Sequence, residues 1–145
     1  MGCWQIWLGR REEHKEKPVT KEDFVKAVKL ETSDAAVSGT IKSLTRPPGR
    51  KPSERLVWLS SWYNQLSSKD QEMLTEALRE AAEMAVFEFF CVLDGVAAVE
   101  EGSDKGELEL YLVKSEEKTR LNDPRQEELH DLFNALCRPG KIDGA

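Results

Sequence analysis

The order of apolar and polar positions predicts that the front of the chain is helical. Thr20 is placed to cap a first helix, because Glu22 and Asp23 follow where acidic residues suit a helix N-terminus. The apolar stripe of this helix consists of Phe24, Ala27 and Val28. Ser33 or Asp34 then offers a second cap. The stripe of the second helix consists of Val37, Ile41 and Leu44.

Segment 46–52 is the clearest break in the pattern, since it holds three prolines and a glycine in seven residues. Ser53 is expected to begin a third helix that runs to about Leu66. One face of this helix is apolar and consists of Leu56, Leu59, Tyr63 and Leu66. Trp58 and Trp62 lie one turn apart on its flank, and they are expected to be core residues rather than exposed contact residues.

The longest predicted helix runs from Lys69 to about Leu93. Ser68 and Gln71 have the spacing of a capping box at its start. Its second half, 85–93, is apolar nearly all round, which is typical of a central and buried helix. Asp94-Gly95 supplies the stop, because glycine readily adopts the left-handed conformation.

After residue 95 the period of the pattern changes from that of a helix to that of a strand. Three short strands are predicted, at 96–99, 108–112 and 118–121. A last helix is expected to begin with Asp123 as cap, Pro124 at the first helical position and Gln126 closing a capping box. The chain is therefore predicted to be an α+β protein with several helices, a small antiparallel β-meander and a closing C-terminal helix.

Charge divides the chain at the proline-rich segment. Residues 1–52 hold eleven Lys and Arg against seven Asp and Glu, whereas residues 53–145 hold ten against twenty. We therefore expect a basic N-terminal region (1–52) with one or two helices and a Pro-rich linker, an acidic α+β core domain (53–138) and a flexible tail (139–145). Trp4 and Trp7 are expected to dock on the body of the protein.

Composition narrows the class of protein. A chain of 145 residues that is 33% charged, with a net charge of -6 at pH 7, suits one soluble domain and argues against general affinity for nucleic acid. Its apolar stretches are too short to span a bilayer, and no signal peptide or lipidation pattern is expected, so a cytoplasmic location is predicted. The three cysteines form no CxxC pair, and the two histidines lie far apart. No metal site and no cofactor are therefore predicted.

Two residues are weak candidates for acid–base chemistry. Glu88 is flanked by three phenylalanines, and a buried carboxyl in such surroundings would suit proton transfer. The favoured alternative is a side chain that points outward through a gap or pairs with an arginine. His130 borders an apolar stripe and is expected to be a boundary residue. Its neighbour Asp131 cannot simply orient it, because adjacent helical residues point about 100° apart. No catalytic site is therefore predicted.

Binding is favoured over catalysis, because the acidic body suits a basic protein partner. The candidate contact residues are Trp58, Trp62, Glu107, Glu109, Tyr111 and Asp131. A separate hypothesis places the basic front region on nucleic acid through Arg46, Arg50 and Lys51. One such basic segment in an acidic protein is more typical of a linker.

Four segments resemble a group of small bacterial proteins of unknown function: 62–67 (WYNQLS), 85–96 (AVFEFFCVLDGV), 121–123 (LND) and 129–134 (LHDLFN). The resemblance implies a bacterial cytoplasmic protein and carries no catalytic assignment. The leading hypothesis is a non-catalytic binding module, such as an immunity-type antagonist that neutralises a toxin. The rival hypotheses are a small-ligand protein or enzyme that uses Glu88 and His130, and an accessory protein that contacts nucleic acid.

Overall fold

The computed structural model describes residues 19–138 and has an α+β fold with a long central helix. Its elements are α1 (Lys21–Lys29), a π-helical segment (Leu30–Asp34), α2 (Ala35–Thr45), α3 (Glu54–Tyr63), α4 (Ser68–Leu93), β1 (Tyr111–Lys114), β2 (Glu117–Arg120) and α5 (Leu129–Cys137). The expectations for Trp4, Trp7 and the tail 139–145 fall outside the described residues. Within residues 19–138, no helix combines the length and the apolar character needed to cross a bilayer.

The front of the described chain forms one continuous helix instead of two. Thr20 caps it as predicted, because Thr20 Oγ1 accepts the N–H of Asp23 at 3.1 Å. The Asp23 carboxylate in turn accepts the N–H of Thr20 at 3.2 Å, which completes a capping box. The capping chemistry at this end of the helix was therefore readable from the local sequence.

The predicted break at residues 33–34 is wrong, because a π-helical segment carries the helix through it. The N–H of Ala35 donates to the carbonyl of Leu30, five residues earlier, which is the spacing of a π-helix. Ser33 is buried and its hydroxyl donates to the Lys29 carbonyl at 3.0 Å, while Asp34 pairs with the Lys29 ammonium. Neither side chain is free to cap a second helix.

Ser53 begins α3 as predicted, since its hydroxyl accepts the N–H of Leu56 at 3.3 Å. The helix ends at Tyr63, about one turn before the predicted end. The predicted apolar face is confirmed, and its members are buried or half-buried: Leu56, Leu59, Tyr63 and Leu66. The buried side of α3 therefore coincides with this apolar face.

The cap of α4 lies one residue earlier than predicted. The Ser67 hydroxyl accepts the N–H of Asp70 at 3.2 Å and donates to the Asp70 carboxylate at 2.7 Å. Ser68 is therefore the first residue of the helix and not its cap. Gln71, expected to close the box, instead donates from Nε2 to the Tyr63 carbonyl at 3.1 Å, which ties α4 to the end of α3.

The second half of α4 is buried on one side only. Phe90 and Cys91 are buried there, whereas Phe89 is 59% and Met84 is 51% exposed. The prediction of a helix buried all round is therefore wrong, although its position at the centre of the fold is confirmed. The apolar run of the sequence supplies one core face and one exposed face.

Four side chains from three helices form the centre of the core. Val25 from α1, Phe90 from α4, and Leu129 and Phe133 from α5 are each at most 1% exposed. The Phe90 ring packs edge-on to Phe24, with centroids 6.3 Å apart, and meets the Phe133 ring at 5.5 Å. Because Val25 precedes the proline-rich segment, the core extends across the expected boundary between the basic and acidic regions.

The predicted three-stranded meander is a two-stranded hairpin. β1 pairs antiparallel with β2, so that Tyr111 lies opposite Arg120 and Lys114 lies opposite Glu117. The two-residue loop between the strands places Ser115 at φ 57°, a left-handed conformation that such a tight turn requires. The strand pairing thus begins three residues later than the alternating pattern suggested.

The predicted strand at 96–99 does not form, because its first residues are still hydrogen-bonded to the last turn of α4. The N–H groups of Val96 and Ala97 both donate to the carbonyl of Cys91, at 2.9 and 3.0 Å. Gly95, with φ 77°, lets the chain turn in this way, as predicted for the stop. Val96 and Val99 are 60% and 64% exposed, so burial against the core does not stabilise a strand here.

Asn122 joins the hairpin to the end of α4. Its side chain is buried, and Nδ2 donates to the carbonyls of Leu93 and Leu108 at 2.6 and 2.8 Å. Its Oδ1 accepts the N–H of Leu110 at 2.7 Å. One side chain therefore satisfies three backbone groups from two separate segments.

The last helix begins at Leu129 and not at Asp123. The Asp123 carboxylate accepts the backbone N–H of Arg125 at 3.1 Å and two guanidinium N–H groups at 3.0 and 2.9 Å, which holds residues 123–126 in a turn. The Asp94 carboxylate, 36 residues earlier, accepts the N–H of His130 at 2.9 Å. The helix is thus capped from the end of α4.

This turn gives a prediction for Asp123. Hydrogen bonds from the guanidinium and backbone of Arg125 lower the pKa of Asp123 to about 2. The replacement Arg125→Gln is expected to raise that pKa toward the ordinary value of 3.8. Because the folded-state pKa is the lowered one, stability from this pair is present above about pH 4 and is lost as the pH falls toward about 2.

The measurement is an NMR titration of the Asp123 side-chain carboxyl in the wild type and in Arg125→Gln. The matched control is Arg138→Gln, which removes an exposed arginine from the end of α5. An Asp123 titration that does not move in Arg125→Gln would contradict the assignment.

Candidate functional site

Asp94 and His130 form a buried polar contact between the end of α4 and the start of α5. The Asp94 side chain is 3% exposed and the His130 side chain is 13% exposed. Asp94 Oδ2 accepts the backbone N–H of His130 and lies 2.9 Å from its ring Nδ1. One carboxylate oxygen therefore caps the helix and orients the imidazole that the helix carries.

The imidazole lies between an aromatic ring and two further carboxylates. Phe87 meets it edge to face, with ring centroids 5.7 Å apart and an interplanar angle of 80°. The ring Nε2 lies 3.6 Å from Glu128 Oε2 and 3.7 Å from Asp131 Oδ1. Both distances exceed hydrogen-bonding range, so the two carboxylates converge on Nε2 without bonding to it.

When the imidazole is neutral, the contact with the Asp94 carboxylate favours the tautomer with the proton on Nδ1, because a carboxylate only accepts. The lone pair of Nε2 then points toward Glu128 and Asp131. A buried carboxylate that orients a histidine in this way is found where the histidine transfers protons and where it binds a metal. The arrangement is chemically competent for either role.

Glu88 does not share this site. It is exposed, as the favoured alternative expected, and it follows Phe87 by one residue on α4. Adjacent helical residues point about 100° apart, so the face of α4 that contacts His130 is not the face that carries Glu88. The structure thus gives no support to a pairing of Glu88 with His130.

Trp58 and Trp62 are exposed on the outer side of α3. Their exposed fractions are 69% and 45%, so the expectation that they belong to the core is wrong. The physical reason is that α3 buries its other face, where Tyr63 is only 5% exposed. The two indoles are one turn apart on the same side of α3, and this surface is here called the tryptophan face.

The predicted contact residues of the hairpin are occupied within the protein. The Arg120 guanidinium pairs with both Glu107 and Glu109. The Tyr111 hydroxyl donates to Glu109 at 3.2 Å, and this hydrogen bond raises the pKa of Tyr111. The Lys118 ammonium lies 5.3 Å from the centre of the Tyr111 ring. These carboxylates are therefore partly neutralised before any partner arrives.

The predicted contact residues do not form one surface. The tryptophan face lies on α3, which joins the N-terminal end of α4, whereas Glu107, Glu109, Tyr111 and Asp131 lie around its C-terminal end. A helix of 26 residues is about 39 Å long. The structure therefore separates two candidate surfaces that the sequence treated as one.

The basic residues proposed for nucleic acid lie in the loop between α2 and α3. Arg46, Arg50 and Lys51 are all exposed there. Gly49 has φ 83°, which favours glycine at the turn of this loop. The placement fits a linker whose charges face the solvent.

Lys29, Asp34 and Glu83 form a half-buried ion cluster that sequence patterns did not indicate. The Lys29 ammonium lies 2.7 Å from Asp34 and 3.3 Å from Glu83. Burial lowers the pKa of Lys29, but hydrogen bonds to the two carboxylates outweigh this and raise it. Burial raises the pKa of the neighbouring Cys137 thiol to about 11, so this thiol is a poor nucleophile. We interpret the cluster as structural.

Asp94 and Glu128 are the site residues that sequence reasoning missed. Asp94 had a complete local explanation as part of a helix stop, and Glu128 preceded a helix whose start was placed at Asp123. No local pattern pairs residue 94 with residue 130. The usable signal was indirect, namely that Asp131 could not orient His130 and that any orienting carboxylate had to come from another element.

No protein-family model matches the chain, and no match is found among the curated proteins or among the solved structures.

Proposed function

We propose that this protein is a non-catalytic binding module of a bacterial cytoplasm and that it binds a protein partner through the tryptophan face. The observation that carries the proposal is the exposure of Trp58 and Trp62 on one side of α3. Tryptophan is enriched among the residues that dominate the binding energy of interfaces. Two exposed indoles on a rigid helix are suited to that role.

The packing of α3 depends mainly on side chains other than these two. The apolar stripe that ends at Tyr63 already packs α3, and the Asn64 amide ties its end to the carbonyls of Leu44 and Thr45, each at 3.3 Å. A buried aromatic side chain covers about 150–250 Å², and the part still available to a partner is limited by the 69% exposure of Trp58 and the 45% exposure of Trp62. Covering both against a partner would therefore gain apolar burial that the isolated chain lacks.

The charge of the chain supports a basic partner. Residues 53–145 carry twice as many acidic as basic residues, which favours rapid association with a positively charged surface. A small toxin with a basic active site has that chemistry, so the finer proposal is an immunity-type antagonist. The exposed indoles would provide affinity, and the acidic surface would provide the association rate.

The test compares the full chain with a Trp58→Ala/Trp62→Ala double variant. Tagged proteins are used to capture partners from bacterial lysate, and the affinity for each purified partner is then measured by calorimetry. The double variant is expected to bind at least about 30-fold more weakly, the equivalent of about 2 kcal/mol. Association of the wild type should also slow as salt is raised.

The matched control is Met73→Ala, which removes an exposed apolar side chain from α4. It should change the affinity by less than about threefold. A purified partner that binds the double variant as tightly as it binds the wild type would rule out the tryptophan face.

A further inference from the structure

We infer that Glu128, His130 and Asp131 form a binding site for one Zn²⁺ ion, with Asp94 as the residue that positions the imidazole. This inference goes beyond the proposed protein binding, because it concerns the other end of α4. It rests on the convergence of three different side chains on one point and on the buried carboxylate behind the histidine.

The separation of the donor atoms fits a metal ion. The distance from His130 Nε2 is 3.6 Å to Glu128 Oε2 and 3.7 Å to Asp131 Oδ1. One donor atom from each of the three residues lies within 4.8 Å of the other two. Two ligands bound to zinc at about 2.1 Å with tetrahedral geometry are about 3.4 Å apart. Small side-chain rotations are therefore sufficient to close the set.

The imidazole already has the tautomer and orientation that a metal requires. Asp94 accepts the Nδ1 proton from a position outside the donor set, which leaves the Nε2 lone pair free. Histidine ligands in metal sites usually donate their other N–H to a carboxylate or carbonyl in this manner. The nitrogen donor favours zinc over the hard cations magnesium and calcium, which prefer oxygen ligands.

Helix capping does not account for this arrangement. Asp94 alone satisfies the N–H of His130, and Glu128 makes no side-chain cap at the start of α5. Capping therefore leaves unexplained why Glu128 and Asp131 both approach Nε2 at distances too long for a hydrogen bond. Two carboxylates beside Nε2 favour a positive charge there, which either the proton of the imidazolium or a bound metal ion supplies. The metal titration below distinguishes the two.

The local charge also favours a cation. Within residues 19–138, the carboxylates of Asp94, Glu128 and Asp131 lie near the His130 ring and form no ion pair with a lysine or arginine. Burial is the largest effect that raises the pKa of the nearby Cys91 thiol. The same three carboxylates and Glu88 raise this pKa further. A divalent ion would balance this excess of negative charge. Three protein ligands leave a fourth position for water.

The test is calorimetry of the metal-stripped full chain with ZnCl₂, under reducing conditions, together with the visible spectrum of the Co²⁺ form. One ion per chain and a tetrahedral Co²⁺ spectrum are expected. His130→Ala should weaken zinc binding at least about 100-fold, and Asp94→Asn should weaken it about 10- to 100-fold.

Two further variants keep the result interpretable if His130→Ala or Asp94→Asn fails to fold. Glu128→Gln/Asp131→Asn changes side chains that are 42% and 60% exposed, so the fold should survive while zinc binding is lost. Glu127→Gln removes an adjacent exposed carboxylate outside the set and should leave the affinity unchanged.

Three results would overturn the inference. The first is no zinc binding with a Kd below about 1 mM. The second is equal affinity in the wild type and in Glu128→Gln/Asp131→Asn. The third is zinc binding that disappears when the thiols are alkylated, which would place the ion on cysteines. None of these results bears on the tryptophan face, so the two proposals fail separately.

Discussion

Replacement of Phe133 by alanine is expected to lower the free energy of unfolding by about 3 to 5 kcal/mol. Phe133 is 1% exposed and packs against Phe90 where α1, α4 and α5 meet. Its removal leaves a cavity that the three helices cannot fully close, because each is fixed by contacts elsewhere. The measurement is urea unfolding followed by circular dichroism. The loss would be a large fraction of the stability of a domain of this size.

The matched control is Phe89→Ala, which removes the same side chain from an exposed position on α4. Its effect is expected to stay within about 0.5 kcal/mol. Equal losses for Phe133→Ala and Phe89→Ala would contradict the division of α4 into a core face and an exposed face.

Replacement of Asn122 by alanine is expected to cost about 2 to 4 kcal/mol. The change leaves the carbonyls of Leu93 and Leu108 and the N–H of Leu110 without their partner in a partly buried setting. The hairpin would also lose its attachment to α4. Urea unfolding measures the total loss, and amide hydrogen exchange should show faster exchange in residues 110–120.

Asn134→Ala is the control, because this half-buried asparagine makes no side-chain hydrogen bond within the described residues. It should change the stability by less than about 1 kcal/mol. Slow exchange in the hairpin of Asn122→Ala would show that the strands hold their position without the amide.

Two helix starts and one helix stop that depend on neighbouring residues were predicted correctly from the sequence, whereas the local cap of α4 was placed one residue too late. The Thr20 capping box and the Ser53 cap involve residues three positions apart, and Gly95 needs only its own freedom to reach φ 77°. The prediction that Trp58 and Trp62 belong to the core was wrong for a different reason. Helical spacing shows which residues share a face, but it does not show which face another element will cover.

Features that depend on distant residues could not be predicted. Asp123, Pro124 and Gln126 fit a helix start, but the neighbouring Arg125 binds the Asp123 carboxylate and holds a turn there, a local alternative that the pattern did not indicate. The cap of α5 then comes from Asp94. The same interaction produces the candidate site, so the pairing of Asp94 with His130 was hidden for the reason that misplaced the helix.

The π-helical segment changes where the later side chains lie around the axis of the front helix, and it does so without interrupting the helix. In an ideal α-helix Val37, twelve residues after Val25, would lie about 120° around the axis. One extra residue in a π turn removes about 100° of this, which brings the two buried valines to within about 20° of each other. The π-helical segment thus accommodates one extra residue. A chain one residue shorter between positions 30 and 34 would place the two valines on the same side of an ordinary α-helix.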